Sequence, residues 1–233
     1  MRFGSALPKL PRHEVFVPIT CLLSGKFVWR LTNENSNNPE ETWPQGMETQ
    51  ASDAVAHWSY GNCMDEETTM NLFFLNECPK QAALDLADVH VGKMLLEACQ
   101  MMSTAARQHG FDGGYARAYE HHPMTKWVAR SKQHYEWAWE HALSCAGEHE
   151  VRFGTYHKSA LLLPTLSVAM HTVMPDRGWR NPPRCMPDDY KVDFDAWDGS
   201  VPCHVQSYRD YYADAKRHLH KWTNVEAPEW LSA

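Results

Sequence analysis

The stretch from Gln81 to His109 constrains this chain more than any other. Ala83, Leu84, Ala87, Val91, Met94, Leu95, Ala98, Met101, Met102 and Ala105 recur at three- and four-residue steps, which puts them on one face of a helix. Pro79 stands just ahead and Gly110 just after, the usual start and stop. The spacing predicts one long amphipathic helix over 81–109.

Beside that face, at about 100° per residue, His90, Lys93, Glu97, Gln100 and Thr104 form a second stripe. Asp85, Asp88, Ser103 and Arg107 are expected on a third, solvated side. Two readings of the stripe stand. Lys93 and Glu97 can be an i,i+4 surface pair of little worth, with His90 an edge residue. If the stripe faces a pocket instead, it supplies an imidazole, an ammonium and a carboxylate within one reach, an acid–base set.

The 233 residues suffice for one substantial domain, or one domain with an arm. Ten Trp, nine Tyr and eight Phe can fill a real core and exclude global disorder. No apolar run reaches membrane-spanning length and no signal-peptide core is visible at the N-terminus, so no membrane partner is expected. The seven cysteines are scattered without a CxxC; a disulfide framework or zinc knuckle is not expected, and a reducing cytoplasm is. The net charge of −7 argues against binding nucleic acid through bulk electrostatics. The charge is uneven, however. Residues 31–79 hold nine acids and no Lys or Arg, so the rest of the chain has 20 acids against 22 bases and is free to carry a basic cleft.

Along the chain, residues 1–14 read as a Pro-punctuated lead-in. Val15–Ile19 and Lys26–Leu31 are β-rich around Ser24-Gly25, a small hairpin. Residues 32–50 read as a polar loop, and Asp53–Tyr60 as a short helix. Met70–Leu75 is apolar, strand or extended. Pro123 opens a second long helix to about Phe153, with Trp127, Ser131, Tyr135, Ala138, Ala142 and Ala146 on one face and Gly147 a candidate break. A third helix spans Tyr156–Val173, interrupted by Pro164. Residues 174–202 form a loop too long to be a mere connector. A final helix over His204–Trp222 turns Tyr208, Tyr211, Tyr212, Ala215 and Leu219 inward. The expected fold is mainly α: a compact bundle of about four to five helices (69–233) with a hairpin-and-loop arm (1–68).

Outside the stripe, His121-His122-Pro123 and His157-Lys158-Ser159 stand at helix starts, where backbone N–H groups favour a phosphate. Arg130 and Lys132 can extend such a surface. The same histidines serve equally well as caps. With no HExxH or other short ligand spacing, no metal site is assigned. The aromatics Trp127, Tyr135, Trp137 and Trp139 admit base stacking, though core packing is their commoner use.

Met70-Asn-Leu-Phe-Phe-Leu-Asn-Glu-Cys-Pro79, then Ala87-Asp-Val-His90-Val-Gly-Lys93-Met-Leu-Leu-Glu97, resembles a family of uncharacterised tailed-phage proteins. The likeness runs on through His122-Pro123, Arg152-Phe-Gly154, His157-Lys158-Ser159, Met186-Pro-Asp-Asp-Tyr190-Lys-Val192 and Tyr208-Arg-Asp-Tyr-Tyr212, over about residues 70–230. More distantly, His90 followed seven residues on by Glu97 is similar to the early helix of the pyrimidine-dimer DNA glycosylases of the endonuclease V type. That resemblance implies a Glu97 that stabilises positive charge at the sugar of a flipped nucleotide, with His122, Arg130 and Lys158 near phosphates. Leu96 stands where that family has Arg. The corresponding strand begins near Met70 rather than at the N-terminal amine that family uses as its nucleophile.

These readings predict an enzyme of phage DNA metabolism, glycosylase-like or base-modifying, in the host bacterial cytoplasm. His90, Lys93 and Glu97 are its expected catalytic residues, and His121, His122, Arg130, His157 and Lys158 its phosphate contacts. DNA or a nucleotide is the expected partner; no cofactor is indicated. The rival is a non-catalytic host-takeover or binding protein that uses the acidic N-terminal segment. The enzyme requires the stripe to face polar neighbours from the second and third helices across a hollow; the rival leaves it in solvent.

Overall fold

The computed structural model describes residues 17–20, 27–30, 70–194 and 199–232. The chain divides into two units, Met1–Trp58 and Ser59–Ala233. In the first, β1 (Val17–Thr20) pairs antiparallel with β2 (Phe27–Arg30), Val17 opposite Arg30 and Thr20 opposite Phe27. The expectations for 1–14, 32–50 and 53–60, and the acidic run up to residue 69, lie outside the described residues.

The second unit is a mainly α bundle, as the apolar periodicities predict. Its helices are α1 (Pro79–Leu84), α2 (Asp88–Gln108), α3 (Pro123–Arg130), α4 (Lys132–Phe153), α5 (Leu163–Thr172) and α6 (Cys203–Ala215). The central α2 packs on α3, α4 and α5, while α1 packs on α4. Of the face predicted on 81–109, every residue is fully buried except the half-buried Leu84. Met70–Leu75 runs through the core without strand structure, and Phe74 stacks on Trp137 with ring centroids 3.7 Å apart. Among the described residues no helix is long and apolar enough to cross a membrane.

The single helix expected over 81–109 is two helices. The break at Asp85-Leu86-Ala87 frees backbone groups, and distant elements take them up. Arg152 donates to Leu84 O and Leu86 O, Ala87 N donates to the Tyr212 hydroxyl at 2.8 Å, and Asp88 N donates to Lys221 O at 2.8 Å. The break also turns the expected solvent side inward. Asp85 and Asp88 are buried, Asp85 accepting from Gln81 and Trp230, Asp88 from Thr223. Ser103 is fully buried as well.

The expected second helix likewise breaks, at Ser131, whose backbone is extended. Gly147 lies inside α4, which ends at Gly154 in the left-handed region (φ 67°). The third predicted helix is a 3₁₀ turn, Lys158–Leu162, followed by α5 with Pro164 in its first turn, where a missing N–H costs nothing. The last helix ends at Ala215 rather than Trp222.

Loop 110–122 closes over the C-terminal half of α2. Ser103 Oγ donates to Cys99 O (2.6 Å) and accepts from Tyr115 N (3.0 Å), and Thr104 Oγ1 accepts from Ala118 N (3.0 Å). Gly114 has φ +76°, and a Cβ there would run into Ser103 Oγ. Gly114→Ala is therefore expected to cost about 1–3 kcal/mol through backbone strain and overpacking. Urea unfolding checks this, and an unchanged midpoint would show that the loop yields freely.

Candidate active site

The helical period carries His90, Lys93 and Glu97 to one side of α2, and the first and last are buried at 3 % and 8 % exposure. His90 and Glu97 do not point into bulk water. His90 Nδ1 lies 2.6 Å from the Tyr212 hydroxyl. That hydroxyl also accepts from Ala87 N, and among the described residues Nδ1 is the acceptor within reach of its own proton, the pairing that puts the ring proton of His90 on Nε2. Burial, then the nearby cations Lys93 and Lys216, push the imidazole down to about 3. His90 is thus a neutral ring with a fixed Nε2–H donor, set between Phe73 and Tyr212 at centroid distances of 5.0 and 5.1 Å.

Glu97 is held differently. Its Oε2 accepts from Asn71 N at 2.8 Å, and Lys93 Nζ lies 4.0 Å from Oε1. Burial raises the carboxyl to about 7, against the opposing pull of the Asn71 N–H and Lys93. The carboxyl therefore changes charge at neutral pH, as a general acid–base must. The Lys93 side chain is 40 % exposed against 10 % for Glu97, so the ammonium is the member of the pair that meets solvent.

The neighbours of this cluster differ from those expected. They come from the Met70–Leu75 segment and α6, not from histidines of the second and third helices. Asn71 is itself fixed: its Nδ2 donates to Cys185 O (2.9 Å), and its Oδ1 lies 3.2 Å from the Tyr208 hydroxyl, which also donates to Pro183 O (2.9 Å). The lower part of the stripe is not open either, since loop 110–122 covers Thr104. Neither the cleft around Arg130 nor that between Arg209 and Trp230 is lined by His90, Lys93 or Glu97.

The five expected phosphate contacts fall at the start of α3, at its end and at the 3₁₀ turn. His121 is exposed. His122 Nδ1 accepts from Met124 N (3.2 Å) and caps α3. His157 Nδ1 accepts from Ser159 N (3.3 Å) and caps the 3₁₀ turn, its ring lying against Gly92 of α2. Lys158 is exposed. Arg130 lies at the far end of α3, in a cleft with Lys126, Trp127, Arg177 and Arg180. Trp137 and Trp139 are core: they donate to Glu77 O and Leu163 O at 2.8 and 2.9 Å.

Sequence reasoning missed Asn71 and Tyr212 as partners. Asn71 stands in an otherwise apolar run, a usable signal for a buried polar role. Tyr212 was legible only as an inward-facing residue. Among the described residues no group of three or more His, Cys, Asp or Glu is gathered as a metal site. Comparison with family models, curated proteins and solved structures finds no match for this chain.

Proposed function

We propose that this protein is an enzyme acting on a nucleobase in DNA, with Glu97 as its acid–base group, Lys93 beside it and His90 as a fixed N–H donor. The observation that carries the reading is Glu97: a buried carboxyl, anchored on one oxygen by a backbone amide, whose charge changes at neutral pH. In its protonated form such a group can donate to a base nitrogen. Ionised, it can offset positive charge developing at the sugar carbon. DNA as substrate rests on the resemblance of the His90–Glu97 helix to the pyrimidine-dimer glycosylases and to tailed-phage proteins. Base release and base modification share this requirement for an acid–base carboxyl.

The test is a nucleoside digest of damaged or modified duplex DNA after incubation with the full chain, read by mass spectrometry. The native protein is expected to deplete or convert one nucleoside. Glu97→Gln is expected to lose at least about a hundredfold in rate, the scale of one general acid–base group. An unaltered nucleoside profile, or full turnover by the Gln variant, would remove the enzymatic reading and favour the binding protein with an acidic segment.

A further inference from the structure

The cleft around Arg130 holds about 600 Å³, room for a nucleotide unit. Gln108 and His109 at its edge belong to the end of α2, about 18 Å along the helix axis from Glu97 at 1.5 Å per residue. One wall is α3, with Lys126 and Arg130; the other is the 177–183 segment, with Arg177 and Arg180. Among the described residues no Asp or Glu lines it. None of the four cations forms a salt bridge with an acid among the described residues, and Arg130 Nε is buried without a hydrogen-bond partner there. In a chain of net charge −7, four such cations facing one hollow are out of keeping with the average surface.

The second wall is also rigidly built. Arg177 N donates to Ser131 Oγ (3.1 Å), Lys132 N to Pro175 O (2.7 Å) and Trp127 Nε1 to Arg180 O (2.8 Å). His134 Nε2 accepts from Arg180 N (2.8 Å), which leaves its Nδ1–H to donate to Trp127 O (2.8 Å). The main chain does the fastening, so the guanidinium groups of Arg177 and Arg180 stay exposed. Trp179 lies between them in the chain, outside the lining of the cleft itself but edge-on to Trp127, which does line it, and to His134, and it is 46 % exposed.

We propose that this cleft is the seat of a single nucleic-acid strand, with Lys126, Arg130, Arg177 and Arg180 on its phosphates and Trp179 offering a face to a base. Cations on two walls of an open groove beside an exposed indole are the combination that holds a strand without reading its sequence. The inference rests on the proposed function only for DNA as the natural polymer. The groove is linked to the acid–base cluster through the 183–185 segment, which lines the cleft at Pro183 and bonds Tyr208 and Asn71 on its other side.

Fluorescence anisotropy of a labelled oligothymidylate of about twelve nucleotides, titrated with the full chain over a range of salt, tests this without any turnover. Arg177→Ala/Arg180→Ala is expected to weaken binding at least tenfold and to lower the salt slope by about 1.4, the value for two lost contacts on a single strand. Lys80→Ala/Lys221→Ala removes the same charge from exposed positions outside the cleft and is expected to bind as the native protein does. Trp179→Ala is expected to weaken binding about fivefold or more at high salt, where stacking remains. Equal losses in the two double variants would overturn the proposal. So would competition by thymidine monophosphate as strong as that of the oligonucleotide, which would make the cleft a mononucleotide site. Loss of binding with no enzymatic activity in any variant would leave the strand site standing and remove the Glu97 reading alone.

Discussion

Glu97→Gln is expected to make the protein more stable above pH 7, by about 3 kcal/mol, while removing its proposed activity. The figure follows from the rise of the carboxyl from its ordinary 4.5 to about 7, at about 1.4 kcal/mol per pH unit. The sign is fixed by linkage. Below pH 4.5 both folded and unfolded chains hold the proton, and Glu97 costs nothing as an ion. Between 4.5 and 7 the unfolded chain has released its proton while the folded chain keeps it, so stability falls as pH rises. Above 7 the folded chain carries a buried carboxylate and the penalty is constant. Gln keeps an oxygen for the Asn71 N–H and carries no charge, so it is spared that penalty.

The native pH profile by itself would hide this effect. His90 and His141 are both pushed by burial down to about 3, so their contribution runs the other way: it is lost as pH falls below 6.5. The difference between native and Gln proteins cancels the histidines. Urea unfolding at pH 5, 6, 7 and 8 is expected to show a gap that opens with pH and levels off above 7. A gap that stays flat would mean that Glu97 is ionised throughout and has no proton to give. Stability gained where activity is lost is the usual mark of a functional group held at energetic cost.

How far the chain could be read before its structure depended on where each residue's partners lie. The apolar faces of α2 and α4 are local patterns, since residues three and four apart share a side, and Val91 to Ala105 came out buried as the spacing predicts. The breaks were not local. Nothing near Asp85 in the chain announces that Arg152 will take the carbonyls of Leu84 and Leu86, or that Tyr212 will take Ala87 N. A helical pattern running through a break continues to look helical. The candidate site divides in the same way. The His90–Lys93–Glu97 stripe was legible as a row, but the burial of Glu97 depends on Asn71, and the tautomer of His90 on a tyrosine 122 positions away. The 174–202 segment could be recognised as too long for a plain connector, yet its cations acquire meaning only once Ser131 and His134 fasten it beside Arg130.

Arg152→Met is expected to be the most damaging single change in the core, costing about 3–5 kcal/mol. The Arg152 side chain is completely buried. It donates to Leu84 O (3.0 Å), to Leu86 O and to Glu148 Oε2 (2.9 Å), and lies 3.4 Å from Asp88 Oδ1. Burial alone would raise the Asp88 carboxyl, but the Thr223 hydroxyl and amide and the Arg152 charge outweigh it and hold it below its ordinary value. Methionine fills much the same space yet leaves the Leu84 and Leu86 carbonyls and the Glu148 carboxylate without this donor and Asp88 with Thr223 alone, and unmet buried acceptors cost more than a hydrogen bond contributes when made. Arg152→Lys retains the charge but cannot reach four acceptors in the plane of a guanidinium fork, so an intermediate loss is expected. Adding Glu148→Leu to the Met variant should recover part of the deficit by removing one stranded charge. The damage should also reach His90, because the α1–α2 break that Arg152 fastens is where Ala87 N meets the hydroxyl that fixes the His90 ring. Equilibrium unfolding of the three variants decides the matter. A loss below about 1 kcal/mol for Arg152→Met would mean that water or a rearranged backbone satisfies those carbonyls, and that the fastening of α1 to α2 lies elsewhere.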